Sequence, residues 1–364
     1  MADFVTGVAV VPGQAGSVHL TRLTWPVAGP GQAVVRVRRV GVCGTDREII
    51  EAKFGTPPPG STDLVLGHEV LGVVEAVGDG VEAFRPGDLV TATVRRPDDC
   101  PSCRAGQPDM CTGGRYEERG IIGLHGFMVD RFVEDVRYLV PVPAALEAVG
   151  VLVEPLSVVE KALREADLIQ RRLAVWAPAT AVVLGAGPIG LLGTMLLRAR
   201  GMDVITVART VAPNPAAALV AACGATYVST RDTPIADLAA GLPNVDLVFE
   251  ASGAASVAVD AMRLVGRNGV AVLLSLTGGD DALTVPIAAI NREFVLGNKV
   301  LVGSVNSARE DFVAGVADLA RFAVRWPGLT ERLITTRLRG TGEAHRIAET
   351  ATAGVKTVIE FGDD

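Results

Sequence analysis

Three short segments hold the side chains of a metal centre: Gly41-Val42-Cys43-Gly44-Thr45-Asp46, Leu66-Gly67-His68-Glu69 and Leu152-Val153-Glu154-Pro155. A thiolate, an imidazole and carboxylates all bind zinc well, and a catalytic zinc uses three protein ligands while keeping a position open. Each segment alone says little, because a lone histidine is more often satisfied in a core and Glu-Pro often just precedes a turn. Together, in this order and ahead of a glycine-rich turn, they point to metal-assisted chemistry.

That turn is Gly185-Ala186-Gly187-Pro188-Ile189-Gly190. An apolar run, Ala181-Val182-Val183-Leu184, leads straight into it and a helical pattern leads straight out. Glycines here permit a tight turn and close approach of backbone to a pyrophosphate, and the helix N-terminus offers unpaired N–H donors to the anion. The dinucleotide's type is read at the end of the next strand. An NAD site places an acid there to bond the ribose hydroxyls. Here the strand ends Val207-Ala208-Arg209-Thr210, and no carboxylate lies between Val204 and Asp232. A carboxylate would repel a 2′-phosphate, whereas an arginine fork binds it. NADP is expected; a single arginine leaves use of NAD open.

The elements that must position these groups follow from pattern. Up to about residue 140 the chain consists of short β-like runs broken by Gly and Pro, such as residues 33–37, 70–77 and 88–94, which predicts an irregular, mostly β domain. From about 180 strands and helices alternate: strand 181–184, helix 188–198, strand 203–208, helix 216–223, and strands 226–228, 246–249 and 270–274. This predicts a parallel sheet covered by helices. Past 305 an amphipathic helix and a last strand, 357–361, are expected. The uncharged stretch from Leu173 to Leu197 is long enough to span a bilayer, but Pro178, Gly185, Gly187, Pro188, Gly190 and Gly193 interrupt it, so it reads as strand, turn and buried helix.

The 364 residues suffice for two domains of about 150 residues each. With 49% hydrophobic and 21% charged residues the chain is globular, and a net charge of −7 without any basic block excludes a nucleic-acid face. Aromatic content of 4% offers no stacking platform for bases or sugars. The start, Met1-Ala2-Asp3-Phe4, has no basic region and no apolar core, and five cysteines are an odd number, so a cytoplasmic, reducing compartment is expected. Cys223 reads as a small buried hydrophobe, and His19, His125 and His345 as surface or satisfied structural positions, with His125 following the Glu118 segment.

Over nearly its whole length the chain resembles the zinc-dependent medium-chain dehydrogenases, and among them the glucose dehydrogenases first recognised in archaea. The likeness rests on Cys43, His68 and the glycine turn for the superfamily. It extends through Val94-Arg95-Arg96-Pro97, Gln107-Pro108-Asp109-Met110-Cys111, Tyr116-Glu117-Glu118-Arg119-Gly120-Ile121, Val153-Glu154-Pro155-Leu156-Ser157, Gly303-Ser304-Val305-Asn306-Ser307 and Lys356-Thr357-Val358-Ile359-Glu360-Phe361, of which Glu118-Arg119-Gly120-Ile121 and Gly303-Ser304-Val305-Asn306-Ser307 point to the sugar branch. The resemblance implies an α/β fold in which a doubly wound Rossmann sheet, residues 177–304, is inserted in a GroES-like, mostly β catalytic domain formed by 1–176 and completed by 305–364. It implies that Cys43 and His68 hold a catalytic zinc, with Glu69 and Glu154 alternating as direct or water-bridged ligands and Glu69 or Glu154 available as a base. Thr45 would sit beside the substrate oxygen, and Asp46 would orient His68. Glu118, Glu154 and Asn306 match positions that bond sugar hydroxyls, groups that discriminate well when a missing hydroxyl leaves them unpaired. Gly185, Gly187, Pro188, Ile189, Gly190, Leu191, Arg209 and Thr210 would hold the dinucleotide, joined by Leu274, Ser275, Leu276, Ser304, Val305, Asn306 and Lys356. The reaction implied is oxidation of an aldose, glucose at C1, to its lactone with hydride transfer to NADP⁺.

Cys100, Cys103 and Cys111 resemble the same family's structural zinc lobe, but Pro97 stands where a fourth cysteine belongs. Asp98 or Asp99 is a substitute, a later acid such as Glu117 is another, and an empty lobe is the third reading. An acyclic polyol or other secondary alcohol suits the catalytic chemistry as well as an aldose does. A non-catalytic NADP-binding protein or a metal-free reductase requires the zinc ligands to be missing, and all are present. The likeness also implies a homodimer or homotetramer, with no membrane partner.

Overall fold

The chain divides into two compact units. One comprises Met1–Ser157, Asn306–Leu319 and Ile334–Asp364, the other Val158–Val305 and Ala320–Leu333. The computed structural model describes residues 4–278, 282–347 and 354–362, with the backbone alone at 344 and 345. The side chain of His345 therefore lies outside the described residues.

In the first unit the valine-rich run at 33–37 opens an eleven-residue strand, Gln32–Val42, inside a seven-stranded sheet. It pairs antiparallel with Glu69–Val77 along one edge. Its other edge is shared, Arg131–Asp135 pairing with residues 32–36 and Lys356–Glu360 with residues 39–42. Register shifts at Val34/Val35 and Val37/Arg39 mark bulges, which bend a strand and increase its twist. The register has a functional result. Gly41 lies opposite Glu69 and Val42 opposite Thr357, so Cys43, His68, Glu69 and Lys356 gather at one end of the sheet. Beneath it Val8, Val35, Val40, Leu66, Val70, Phe127 and Ile359 form one apolar cluster, each such side chain contributing roughly 1.5–3 kcal/mol on full burial. Two three-stranded sheets complete the unit, one of them built from Arg95–Arg96, Glu117–Arg119 and Gly123–Leu124.

Glu154-Pro155 does not precede a turn. It stands in the first turn of the helix Val153–Gln170, where a proline's missing N–H is no loss.

The second unit holds six parallel strands in the order Thr226–Ser229, Asp203–Ala208, Thr180–Leu184, Leu247–Glu250, Val270–Leu273, Val300–Gly303. With the first strand in sequence third in space and the order reversing beside it, this is the doubly wound Rossmann arrangement. Thr180–Leu184 is buried throughout, as a central parallel strand covered on both faces must be. The uncharged stretch folds as the interruptions predict, into this strand and the helix Pro188–Ala199. Among the described residues no helix is long and apolar enough to cross a membrane. Element ends shift by a residue or two from the pattern, as at Lys356–Glu360, and Arg309–Arg325 is the amphipathic helix expected after 305.

Candidate functional site

Cys43 is the N-cap of the short helix Gly44–Ile50. Its thiol accepts from the Thr45 amide at 3.2 Å while its own amide donates to Asp46 Oδ2 at 2.9 Å, a reciprocal cap that holds the thiol at the strand end. Asp46, fully buried, also accepts at Oδ1 from the Gly67 amide at 3.2 Å, which places His68 beside Cys43. His68 Nε2 stands 3.0 Å from Cys43 Sγ. Its Nδ1 is 3.7 Å from Asp46 Oδ1 and, among the described residues, makes no hydrogen bond. Glu69 and Glu154 are both buried, and their carboxylates come together with His68 so that the ligand atoms lie within 4.8 Å of one another. Cys43, Asp46 and His68 form a second such group that shares His68.

Burial raises Asp46 above its ordinary range and lifts Glu154 to about 7. At His68 burial opposes the charged form, but Cys43, Asp46 and Glu154 outweigh it and raise the ring well above its usual value. Lys356 is 1% exposed, and its ammonium donates to Val42 O at 3.0 Å and to Glu69. Expected at the dinucleotide, Lys356 is held here beneath the metal cluster. Three carboxyl groups and a thiol packed around one lysine and one histidine form a donor set that a divalent cation neutralises, and its types and convergence fit zinc.

The cysteine lobe closes on Asp98. Asp98, Cys100, Cys103 and Cys111 bring one ligand atom each within 4.8 Å of the others. Cys100 Sγ and Cys111 Sγ are 3.7 Å apart, and Cys111 Sγ is 3.2 Å from Asp98 Oδ2. The Cys100 amide donates to Asp98 Oδ1 at 2.8 Å and, with the thiols, keeps that carboxyl far below its usual range. The Cys103 amide lowers Cys100 to about 6, and burial pushes Cys103 up to about 12. Of the other acids weighed, Asp99 pairs with Arg115 at the surface and Glu117 is not in the group. Three thiols and a carboxylate fit a closed tetrahedral zinc site.

Glu118, 7% exposed, takes two donors on Oε1: Arg95 Nε at 2.9 Å and Asn306 Nδ2 at 2.6 Å. Asn306 adopts a left-handed backbone (φ 61°), which its own side chain steadies by accepting from the Ser307 amide at 2.8 Å. Thr45 is half-buried next to Cys43.

In the second unit, Gly187 caps the helix Pro188–Ala199 with no side-chain bond, leaving the Ile189 and Gly190 amides at the helix entrance. A side chain on Gly190 would meet Gly185 O at 2.0 Å, the close helix–strand approach that glycine alone allows, while nothing stands within 4 Å of one on Gly187. Leu191 follows in the first turn, its amide bonded to Gly187 O. Arg209 and Thr210 are exposed just past Asp203–Ala208, their carbonyls accepting from Ser229 Oγ and Tyr227 Oη at 3.3 and 2.7 Å. Leu274–Leu276 and Ser304–Val305 follow Val270–Leu273 and Val300–Gly303 at the carboxyl ends of the parallel strands, where this fold binds ligands.

A buried acid missed by sequence reading, Glu250, ends the strand Leu247–Glu250 and accepts from the Ser252 amide (2.8 Å), Ser252 Oγ (2.6 Å) and Ser275 Oγ. Its signal was an acid closing an apolar strand just before Ala-Ser-Gly. Arg95 was likewise seen only as part of a motif. Cys223 is buried, His19 pairs with Asp63 at 3.2 Å, and His125 Nδ1 accepts from the Val65 amide, each a structural position as expected.

Two protein-family models match the chain: the alcohol dehydrogenase GroES-like domain over residues 29–144 and the glucose dehydrogenase C-terminus over 147–361. A glucose 1-dehydrogenase of Methanocella arvoryzae is 42% identical over 333 residues, covering 91% of this chain and 92% of its own. Glucose 1-dehydrogenase 1 of Caldivirga maquilingensis is 42% identical over 355 residues, covering 97% and 98%. The structure of Haloferax mediterranei glucose dehydrogenase in complex with NADP, Zn and gluconolactone superposes with a TM-score of 0.88 at 36% identity, over 99% of this chain and all of that one.

Proposed function

The chain belongs to the glucose dehydrogenase family of the zinc-dependent medium-chain alcohol dehydrogenases, and from that premise we infer that it oxidises D-glucose at C1 to gluconolactone, passing a hydride to NADP⁺. The observation that carries this reading is the buried convergence of Cys43, His68, Glu69 and Glu154 at one end of the sheet. When bound, zinc supplies Lewis acidity toward the C1 oxygen, and NADP⁺ is the hydride acceptor.

The residues then have these roles. Cys43, His68 and Glu154 hold the zinc and Glu69 alternates with Glu154, while Asp46 fixes the Cys43–His68 pair. The Thr45 hydroxyl takes the proton of the C1 hydroxyl, with Glu69 or Glu154 as the final base. Glu118, Glu154 and Asn306 bind the other sugar hydroxyls. The Ile189 and Gly190 amides receive the pyrophosphate, and Arg209 with Thr210 receives the 2′-phosphate, for which the exposed Arg209 and a sequence free of carboxylates between Val204 and Asp232 are the support. Leu274–Leu276 and Ser304–Asn306 line the rest of the nucleotide site. Asp98, Cys100, Cys103 and Cys111 hold a second, structural zinc. Catalytic residues 1–176 and 305–364 then flank a nucleotide-binding domain of 177–304.

We further read the protein as a cytoplasmic homodimer or homotetramer. Five free cysteines support a reducing compartment. Exposed Ile287, Val295 and Leu296, beside the edge strand Val300–Gly303, support association. Cys43→Ala and His68→Ala test the central reading: each abolishes glucose oxidation while NADP⁺ still binds. Turnover retained in either variant overturns the metal role.

A further inference from the structure

We infer that Arg95 is a positioning residue for sugar binding: its guanidinium fixes the carboxylate of Glu118 and anchors it to the turn between Cys103 and Cys111 of the cysteine lobe. This rests on the reading of Glu118 as a sugar contact.

The pairing of Arg95–Arg96 with Glu117–Arg119 sets Arg95 directly opposite Glu118. Side chains opposite one another across an antiparallel pair are close enough to interact, and here Arg95 Nε donates to Glu118 Oε1 at 2.9 Å with both side chains under 10% exposed. The guanidinium makes further contacts. Nη1 lies 3.4 Å from Pro108 O and 3.3 Å from Asp109 O, and the fork stacks 3.8 Å from the Tyr116 ring centre. Pro108 and Asp109 belong to the single turn Pro108–Met110 that precedes Cys111. Arg95 therefore has no freedom to swing, and Glu118 inherits its rigidity.

Asn306 completes the arrangement by donating to the same oxygen at 2.6 Å. Both protein donors fall on Oε1, while among the described residues Oε2 accepts no hydrogen bond. A carboxylate held by one oxygen presents the other to a hydroxyl donor, the group a sugar carries. Arg96 differs from its neighbour: it bonds Glu134 and the Thr93 carbonyl rather than Glu118. A lysine at 95 would keep the charge but lose the fork that reaches the carboxylate and the carbonyls together.

The test is steady-state kinetics of R95M, R95K, E118Q and R95M/E118Q, with glucose and NADP⁺ varied separately. A charge-assisted hydrogen bond lost from a buried carboxylate predicts a glucose KM raised about 10- to 100-fold in R95M, with kcat within about threefold and the KM for NADP⁺ unchanged. R95K is intermediate and carries the test if R95M does not fold. The double variant is no worse than E118Q alone, because Arg95 acts through Glu118. An unchanged glucose KM in the Arg95 variants beside a raised one in E118Q overturns the proposal. So do effects that multiply in the double variant, or a parallel rise in the KM for NADP⁺. An unchanged glucose KM in E118Q instead removes Glu118 from the sugar site and so refutes the reading beneath the proposal.

Discussion

Adding one methyl group at Gly41 tests how tightly the metal cluster is packed. A Cβ at that position would lie 1.9 Å from Glu69 Oε2, 2.9 Å from Glu69 Cδ and 3.0 Å from Lys356 Cε. An ordinary carbon–oxygen contact is about 3.4 Å, so the carboxylate must move by about 1.5 Å, which breaks its bond to Lys356. Lys356 itself yields a few tenths of an ångström at a flexible end. Overpacking of this kind costs roughly 1–3 kcal/mol, and the charged hydrogen bond lost by a buried ammonium roughly 1.5–3 kcal/mol more. Gly41→Ala is thus expected to destabilise the zinc-loaded protein by about 3–5 kcal/mol, read from the urea midpoint at unchanged slope. In a Glu69→Ala background the obstacle is gone and the same methyl costs under about 1 kcal/mol. A Gly41→Ala penalty below about 1 kcal/mol, or one of equal size in both backgrounds, refutes the packing argument.

Other outcomes follow from the same geometry. In the metal-free protein Glu154 (about 7, against an ordinary 4.5) and His68 are both raised, so the folded cluster holds extra protons. The stabilisation they give is full below the unfolded values and is lost as pH rises through the folded ones, at up to about 1.4 kcal/mol per pH unit for each group titrating. Urea midpoints of the metal-free protein therefore fall between about pH 5 and pH 8, and less so in Glu154→Gln; a rise across that window contradicts the assignment. Zinc replaces those protons, so calorimetry in two buffers near pH 7 shows net proton release on binding, and zero release counts against it. Asp98→Asn lowers the zinc content from two per chain toward one, and an unchanged count shows that the lobe closes otherwise. Arg209→Ala raises the KM for NADP⁺ about tenfold or more and leaves that for NAD⁺ alone; an equal change for both removes Arg209 from the discrimination.

Much of this was legible in the chain. Five strands of the parallel sheet followed from alternating periodicity, and the glycine turn marked its first crossover, because both are local patterns that the backbone must obey; the sixth, the short edge strand Val300–Gly303, was missed. Cys43, His68 and Glu69 were legible as types, yet what unites them is the pairing of Gly41 with Glu69, a long-range register that no local pattern encodes. Glu154-Pro155 looked like the approach to a turn and opens an 18-residue helix, since proline is equally at home in a helix's first turn. The lobe's fourth member could not be chosen among Asp98, Asp99 and Glu117 until the Cys100 amide was seen to hold Asp98 inward while Arg115 draws Asp99 outward. Lys356 carried no sign of its place beneath the cluster, because its partner is 287 residues away in sequence.

The bonds of Glu250 bear on how the sheet's carboxyl edge moves. One carboxylate serves the loop after Leu247–Glu250 through Ser252 and the loop after Val270–Leu273 through Ser275, and Ser275 Oγ returns to the first loop by accepting from the Gly253 amide at 2.8 Å. Two loops clasped by a single group share one opening event. Their amides exchange with solvent deuterium together, and a change to alanine at either serine loosens both. One buried acid thus ties neighbouring loops together at the carboxyl edge of the sheet.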